Sequence, residues 1–156
     1  MYKRILLKLS GEALDEKNSD SIYDSASIDA IAEKIKVLHD QGMEIAIVIG
    51  AGNIWRGRIA EKVGIERVPA DYMGMLGTVI NAIGLASILN TRGVESVVYS
   101  ALPGINGVTF DYNADKVKED LSQGKYVSLL VEPANHFSQP TLLLQCVQKK
   151  QIVMLS

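Results

Sequence analysis

The sequence contains a single cysteine, Cys146, so no internal disulfide can form. A chain with so few thiols fits a reducing compartment. The first residues, "MYKRILLKLSGEAL", include an apolar run that is too short for a secretory signal peptide. We expect no later run to span a bilayer. These absences favour a cytoplasmic protein without a membrane partner.

The sequence also has no excess of positive charge. Its 16 lysines and arginines are balanced by 18 acids, which gives a formal net charge of −2. Non-specific nucleic-acid binding relies on a basic face, so we expect no nucleic-acid partner. With 156 residues, of which 47% are hydrophobic, the chain is long enough for one domain with a substantial core.

Two common nucleotide-binding motifs are missing. The string GxxxxGK[ST] does not occur, which excludes a nucleoside monophosphate kinase of the P-loop type. A dinucleotide-binding GxGxxG fingerprint would need a glycine three residues after Gly52, where Trp55 stands. Any nucleotide site in this chain must therefore use other glycine-bearing loops.

The sequence does contain apolar strands that alternate with helices. The runs "KRILLKL" and "MEIAIVI" are almost continuously apolar, which is typical of strands buried on both faces of a parallel sheet. "VESVVYS" and "KYVSLLV" predict a third and a fourth strand. This alternation predicts an α/β fold, a three-layer αβα sandwich with a mainly parallel sheet.

Three helices are predicted between these strands. The first is capped by Ser27 and ends at Gly42, the second runs over residues 69–91, and the third is short and capped by Asn113. The second helix contains three glycines, at 74, 77 and 84, each of which costs roughly 1 kcal/mol relative to alanine. They indicate either slack in a well-packed helix or the close approach of another backbone, a substrate or a subunit.

Two glycine-bearing loops follow strands, at residues 8–12 ("KLSGE") and 50–57 ("GAGNIWRG"). Ligands of open parallel sheets bind beyond the carboxyl ends of the strands, so both loops should lie at one rim. Glycines let backbone N–H groups approach an anion, and Lys8 and Arg56 would add positive charge. A phosphate-rich ligand fits this combination, although either loop alone could be an ordinary turn.

Together, "ILLKLSGEAL", "VIGAGNIWRG" and "DYMGMLGTVINA" resemble the bacterial uridylate kinases of the amino acid kinase superfamily, in order and in spacing, from Tyr2 to about Val127. The resemblance implies Mg-ATP-dependent phosphorylation of UMP to UDP in pyrimidine nucleotide biosynthesis. It also implies a homo-oligomer, since the family is typically hexameric. The Mg²⁺ would be carried by ATP, because the sequence shows no protein site for a metal.

The resemblance also implies roles for single residues. Lys8 and Arg56 would be catalytic, Lys8 by reaching the transferring phosphoryl group and Arg56 by bridging donor and acceptor. The implied UMP-binding residues are Gly50, Ala51 and Asp71, of which Asp71 would hydrogen-bond the sugar. Lys8 could also be a snorkelling surface lysine, and Asp71 a favourable acid in a first helical turn. The implied ATP-binding residues are Lys8, Leu9, Ser10, Gly11, Gly52 and Arg56.

Two departures from the family lie within the matched region. Ala51 replaces the middle glycine of the family's "GGGN" loop, and its methyl group is expected to crowd the UMP phosphate while the backbone N–H remains. The segment "DEKNSDSIYD" lacks the glycine–aromatic–glycine pattern where many family members bind the activator GTP. The resemblance therefore does not extend to control by GTP.

The resemblance stops at the tail. Residues 128–156 contain no glycine, and no acid follows Glu132, whereas the family continues with "AGGTGNPFFSTDTAAALRA" and then an ATP-adenine half. Synonymous codons for Val127 to Gln148, grouped one base earlier, translate as "FLAGGTGKPFFSTDTAAAMRA". We therefore interpret residues 1–127 as an N-terminal, UMP-binding lobe and residues 128–156 as an out-of-frame tail. A natural domain with its own divergent tail is the alternative.

This interpretation limits the function. A chain that lacks the ATP-adenine half would have absent or very low activity, and we assign no role to tail residues such as Cys146 or His136. One alternative is a non-catalytic nucleotide-binding or oligomer-forming fragment. Another is an amino acid kinase that acts on carbamate or an acyl-carboxylate, which "DYMGMLGT" after "GNIWRGR" argues against.

Overall fold

The computed structural model describes residues 3–15, 21–129 and 152–155. Its strands are β1 (Arg4–Leu9), β2 (Glu44–Ile49), β3 (Ser96–Ser100), β4 (Phe110–Asp111), β5 (Tyr126–Leu129) and β6 (Ile152–Leu155). Its helices are α1 (Ser25–Asp40), α2 (Gly57–Val63), α3 (Arg67–Thr91) and α4 (Ala114–Ser122), and a 3₁₀ turn spans Gly11–Leu14.

The six strands form one sheet in the order β4-β3-β5-β2-β1-β6, and every pairing is parallel. The apolar runs of β1 and β2 fit their interior positions, each with a neighbouring strand on both sides, and Leu7 and Ile47 are almost completely shielded from solvent. Leu9 is in register with Ile49, so the two strands end at the same level. The loops that follow them therefore emerge side by side.

Helices cover both faces of the sheet. On one face, α1 and α3 contribute Ile35, Leu85 and Leu89 to the core that contains Leu7 and Ile47. On the other face, α4 packs Val117 and Leu121 against a smaller cluster that includes Ala46, Tyr99 and Val127. This confirms the predicted three-layer α/β sandwich, and all six described strands are parallel.

Several element boundaries differ from the sequence predictions. The cap of α1 is Asp24, whose carboxylate accepts a hydrogen bond of 2.7 Å from the backbone N–H of Ser27, so the assignment of the cap to Ser27 was wrong. Asn113 caps α4 as predicted, and Gly42 follows α1 with a φ of 78°. Helix α2 and strands β4 and β6 were not predicted. Most of the tail, residues 130–151, lies outside the described residues.

Helix α3 has a buried and an exposed apolar face. By length and composition it could cross a membrane, since an 18-residue stretch of it has a mean hydropathy of 1.6. The expectation that no run could span a bilayer was therefore wrong on those criteria. However, its Val79, Leu85 and Leu89 are core residues, and the core helix of a soluble protein passes the same test. Its outer face exposes large apolar side chains, among them Tyr72, Leu76 and Ile80.

A buried acid joins α4 to the sheet. Tyr99 donates a hydrogen bond of 2.6 Å from Oη to Asp120 Oδ2, and Lys125 Nζ donates to Asp120 Oδ1 at 3.1 Å. Burial alone would raise the pKa of Asp120, but the hydrogen bonds from Tyr99 and Lys125 outweigh it and lower this pKa. Burial, together with the neighbouring carboxylate, raises the pKa of Tyr99, which keeps its proton as a donor.

We expect Asp120→Asn to lower the free energy of unfolding at pH 7 by about 2 kcal/mol, the usual size of hydrogen bonds to a charged group. Because the pKa of Asp120 is lowered on folding, its contribution is complete above the ordinary aspartate pKa of about 3.9 and is lost as pH falls through the folded value. Urea unfolding between pH 7 and acid pH should show that the difference in free energy of unfolding between variant and wild type shrinks as the pH falls. Glu61→Gln, at an exposed position of α2, is the control, and a gap independent of pH would contradict the assignment.

Candidate functional site

The two glycine-bearing loops touch each other at the carboxyl ends of β1 and β2. The backbone N–H of Gly50 donates to the carbonyl of Leu9 at 3.0 Å. A Cβ atom built on Gly11 would lie only 2.5 Å from the carbonyl oxygen of Gly50 and 2.7 Å from the nitrogen of Gly52. Only glycine permits this backbone contact. The prediction that both loops lie at one rim is confirmed.

The first loop is held by its own short-range bonds. The Ser10 hydroxyl accepts a hydrogen bond of 3.3 Å from the backbone N–H of Glu12, and the Ser10 carbonyl accepts one of 3.0 Å from Ala13. These bonds start the 3₁₀ turn, and the buried side chain of Leu14 anchors its end. Glu12 is thereby placed beside the second loop.

The second loop contains a tight turn that begins at Ala51. The carbonyl of Ala51 accepts hydrogen bonds from the backbone N–H groups of Ile54 and Trp55, at 2.9 and 2.8 Å. The indole Nε1 of Trp55 donates to the carbonyl of Ala70 in α3, at 3.0 Å. The tryptophan therefore fastens the loop to the first turns of α3.

The glycines of α3 lie where neighbouring residues come close. A Cβ on Gly77 would be 2.9 Å from the methyl carbon of Ala51, and one on Gly74 would be 3.6 Å from Trp55. A Cβ on Gly84 would be 3.2 Å from the hydroxyl of Tyr23. Close approach therefore explains Gly77 and Gly84 but not Gly74, where a Cβ would make an ordinary contact. The close neighbours are side chains of this chain, not the backbone, substrate or subunit that the sequence suggested. The Ala51 methyl lies against α3.

Two asparagines connect the second loop to α3. Asn81 is completely buried, and its Nδ2 donates to the carbonyl of Gly50 at 2.7 Å and to Asn53 Oδ1 at 2.8 Å. In return, Asn53 Nδ2 donates to Asn81 Oδ1 at 3.2 Å and to the carbonyl of Ile22 at 2.7 Å. The loop is thus tied to the helix and to the segment that precedes α1.

Several backbone N–H groups of the two loops remain available. Within the described part of the chain, nothing accepts a hydrogen bond from the N–H groups of Gly11, Ala51, Gly52 or Asn53. Gly11 lies against Gly52, so these groups belong to one small region. Consecutive free N–H groups in a glycine-rich turn bind anions, phosphates above all.

An ion pair lies across this region. Arg56 donates from Nε to the carbonyl of Gly52 at 2.8 Å, and its Nη2 lies 2.8 Å from Glu12 Oε1. Both side chains are substantially exposed, 41% for Arg56 and 56% for Glu12, so the pair contributes little to stability. The arginine is therefore oriented toward the loops while its charge is balanced by a residue that a phosphate could displace.

We expect Glu12→Gln to strengthen binding of inorganic triphosphate up to about fivefold, because an exposed pair of this kind is worth at most about 1 kcal/mol. The substitution removes an anion from the phosphate region, while the bond of Arg56 to Gly52 keeps the guanidinium in place. Titration followed by the fluorescence of Trp55, the single tryptophan, would measure the affinity. Glu61→Gln controls for total charge, and weaker binding by the Glu12 variant would contradict this role.

The remaining predicted residues are placed at the edge of this region. Lys8 is exposed near the end of β1, in register with Val48, and Leu9 is buried beneath the first loop. Asp71 is half-buried in the first turns of α3, where its carboxylate lies 3.8 Å from Arg67 Nε. The structure thus brings together Ser10, Gly11, Gly50, Ala51, Gly52 and Arg56.

Sequence reasoning missed four residues of the site: Glu12, Asn53, Trp55 and Asn81. One of them left a usable signal, since Asn81 is a polar side chain on the apolar, buried face of α3, where an amide needs partners. Among the described residues, no three histidine, cysteine, aspartate or glutamate side chains form a group that could hold a metal ion.

Comparison with known proteins decides the family. The sequence profile described as "Amino acid kinase family" matches residues 3–137, which is most of the chain. This chain belongs to the amino acid kinase family. The match includes both glycine-bearing loops and all of α3, so the site described above lies wholly within the family region.

Relatives within the amino acid kinase family include uridylate kinases. The enzyme of Mycoplasma capricolum is 45% identical over 131 residues, which is 83% of this chain and 54% of the relative, and that of Mycoplasma mobile is 45% identical over 126 residues, 81% and 51% respectively. The chain therefore spans about half the length of the curated relatives that it matches.

Crystal structures of UMP kinases share the fold. The enzyme of Bacillus anthracis superposes with a TM-score of 0.79 and 37% identity, covering 94% of this chain and 59% of that one. The enzyme of Ureaplasma parvum gives a TM-score of 0.76 and 34% identity, covering 82% and 53%. The likeness is thus one of sequence and of fold, over about half of each enzyme.

Proposed function

We propose that this chain derives from a UMP kinase and that its two loops bind the phosphates of ATP and UMP. The observation that carries the proposal is the meeting of Gly11 with the Gly50–Asn53 turn. There the N–H groups of Gly11, Ala51, Gly52 and Asn53 have no acceptor among the described residues, and Arg56 lies alongside. The similarity to uridylate kinases over 83% of the chain supports the choice of UMP as acceptor.

The proposed reaction is transfer of the γ-phosphoryl group of ATP to the UMP phosphate. Such a transfer needs positioning and charge stabilisation rather than covalent help from the protein. Lys8 and Arg56 would supply full positive charge, and the N–H groups of Gly11 and Gly52 would hold donor phosphate oxygens. The N–H group of Ala51 would face the acceptor phosphate, Gly50 would contribute the close backbone approach while its own N–H stays bonded to Leu9, and Asp71 would accept a hydrogen bond from the UMP sugar.

Mg²⁺ is part of this proposal as a companion of ATP. The loops offer N–H donors and cations, which suit phosphate oxygens rather than a metal ion. When bound, the ion would neutralise charge on the β- and γ-phosphates. We propose that the reaction belongs to the cytoplasm, where a single free cysteine stays reduced.

The test is a titration of the purified chain with ATP, UMP and both, with and without Mg²⁺, followed by Trp55 fluorescence and calorimetry. We expect saturable binding of both nucleotides, and UDP formation that is absent or very low. N-acetylglutamate in place of UMP is the control for a family member that acts on acyl-carboxylates. If neither nucleotide binds at millimolar concentration, the proposed function is wrong.

A second candidate is a fragment that binds nucleotide or a second copy of itself without turnover. It is favoured by the coverage, since the chain spans only about half of each relative. Binding without any UDP formation would support this candidate. Slow but measurable UDP formation, abolished by Arg56→Ala, would support the enzyme instead.

The tail bears on the choice between an enzyme and a fragment without turnover. We propose that residues 128–156 are the out-of-frame translation of a uridylate kinase gene. The support is the hidden reading "FLAGGTGKPFFSTDTAAAMRA" under Val127 to Gln148, which follows the family where the visible residues do not. Sequencing the gene tests it: an open frame with no concealed kinase continuation would contradict the proposal. A measured protein mass that differs from the mass calculated for this sequence would instead mean that the protein itself does not contain the out-of-frame residues.

We further propose that the exposed apolar face of α3 forms the contact of a homo-oligomer. Tyr72, Leu76 and Ile80 recur every fourth residue on this face, and each is about half exposed. We expect Leu76→Lys to lower the mass measured by sedimentation equilibrium while the circular dichroism spectrum stays unchanged. The control is Lys62→Leu, which makes the opposite exchange, lysine to leucine, at an exposed position of α2. An unchanged mass would exclude this face.

A further inference from the structure

The amide pair of Asn53 and Asn81 uses every donor it has. Each side-chain NH₂ group donates one hydrogen to the oxygen of the other amide and one to a backbone carbonyl, that of Ile22 for Asn53 and that of Gly50 for Asn81. The two outer carbonyls accept only, so they fix which end of each amide is nitrogen. The pair therefore has one self-consistent arrangement.

The pair lies at the junction of three segments. Asn53 belongs to the second loop, and its Oδ1 also lies against the first loop, 2.5 Å from where a Gly11 Cβ would be. Asn81 belongs to α3, and Ile22 precedes α1. Asn81 is fully buried, so the loss of its hydrogen bonds would leave the Gly50 carbonyl and Asn53 Oδ1 without those donors.

The position of the Gly50 carbonyl controls the direction of the next peptide unit. The carbonyl of Gly50 and the N–H of Ala51 belong to the same planar peptide, so they point in opposite directions. When Asn81 holds this carbonyl toward α3, it directs the N–H of Ala51 away from the helix. Asn81 thus determines the orientation of a donor that it does not itself touch.

We propose that Asn81 is a positioning residue of the phosphate site, which acts from α3 through Asn53 and the Gly50 carbonyl to hold the N–H groups of the second loop in their binding orientation. The identity of the bound phosphate rests on the proposed function. The effect of Asn81 on the conformation of the loop does not, and it can be measured without any ligand.

Trp55 supplies the measurement, because it is the single tryptophan and its indole is bonded to Ala70 beside the loop. We expect Asn81→Ala, under conditions where the chain stays folded, to shift the Trp55 emission to the red and to increase quenching by acrylamide. We also expect ATP binding to weaken by about tenfold, which corresponds to one lost hydrogen bond of about 1.4 kcal/mol.

Leu89→Ala is the matched control, since Leu89 is equally buried in α3 but lies two turns beyond the site. It should lower the urea midpoint at least as much as Asn81→Ala, yet leave Trp55 emission, quenching and ATP affinity at wild-type values. If both variants change the emission and the quenching of Trp55 to the same extent, Asn81 is merely structural and the proposal is wrong. It is equally wrong if Asn81→Ala leaves the quenching of Trp55 unchanged.

Asn53→Ala keeps the proposal testable if Asn81→Ala does not fold, because Asn53 is only half-buried. It removes the same reciprocal bonds from the loop side and should change Trp55 quenching in the same direction. Where both single variants fold, the double variant should change Trp55 quenching little more than either single variant does, since the two residues act as one unit. Failure of wild type to bind ATP would overturn the proposed function while the Trp55 comparison still decided the role of Asn81.

Discussion

Replacing Gly11 with alanine is expected to lower the free energy of unfolding by about 3 kcal/mol, the upper end of the usual cost of overpacking. The added Cβ would lie 2.5 Å from both the Gly50 carbonyl oxygen and Asn53 Oδ1, and 2.7 Å from the Gly52 nitrogen. Two of these three atoms are backbone, so no side-chain rotation can relieve the contact. The loops must separate, which would also abolish the proposed binding of ATP.

Gly57→Ala is the matched control for Gly11→Ala. Gly57 begins α2 in the same loop region, and a Cβ there would meet nothing within 4 Å. Its substitution should be neutral or stabilise by up to about 1 kcal/mol. Urea unfolding measures stability, and a titration followed by Trp55 measures binding. A Gly11 variant as stable as the Gly57 variant would show that the two loops do not touch as described.

Much of the fold follows from local sequence patterns. The continuous apolar residues of β1 and β2 predict strands buried on both faces, and the structure places those strands next to each other in the interior of the sheet. The rule that parallel strands end at one rim then places both glycine-bearing loops at that rim, although only the structure shows that Gly11 meets Gly52. Features of this kind depend on periodicity, which a single sequence records.

The rest of the site depends on tertiary contacts, which leave no periodic pattern in the sequence. The pairing of Glu12 with Arg56 joins residues of two loops, and nothing in either loop indicates it. The bond from Asn81 to Gly50 spans 31 positions of the chain. The cap at Asp24 was missed for a smaller reason, since two neighbouring serines offered equally suitable side chains. Long-range contacts require the fold before they can be seen.

The glycines of α3 combine both kinds of information. Their cost of roughly 1 kcal/mol each in a helix shows from the sequence alone that something must favour them. Only the structure shows that Gly77 faces Ala51, whereas Gly74 faces the indole of Trp55 at an ordinary contact distance. The two positions should therefore respond in opposite ways to the same substitution.

We expect Gly77→Ala to destabilise the chain by about 2 kcal/mol, because its Cβ would lie 2.9 Å from the Ala51 methyl carbon. Gly74→Ala, whose Cβ would meet Trp55 at 3.6 Å, should instead stabilise by up to about 1 kcal/mol through helix propensity. Thermal and urea unfolding of both variants measure these changes.

The decisive comparison is made in an Ala51→Gly background. With the Ala51 methyl removed, the clash disappears while the gain in helix propensity remains, so Gly77→Ala should become neutral or stabilising. A double-mutant cycle would then give a coupling of about 2 kcal/mol between these two positions, within the range for residues in contact. Additive effects would mean that the loop does not pack on α3 through Ala51. A large coupling would show that the residue which departs from the family's glycine loop is accommodated by a glycine of the helix.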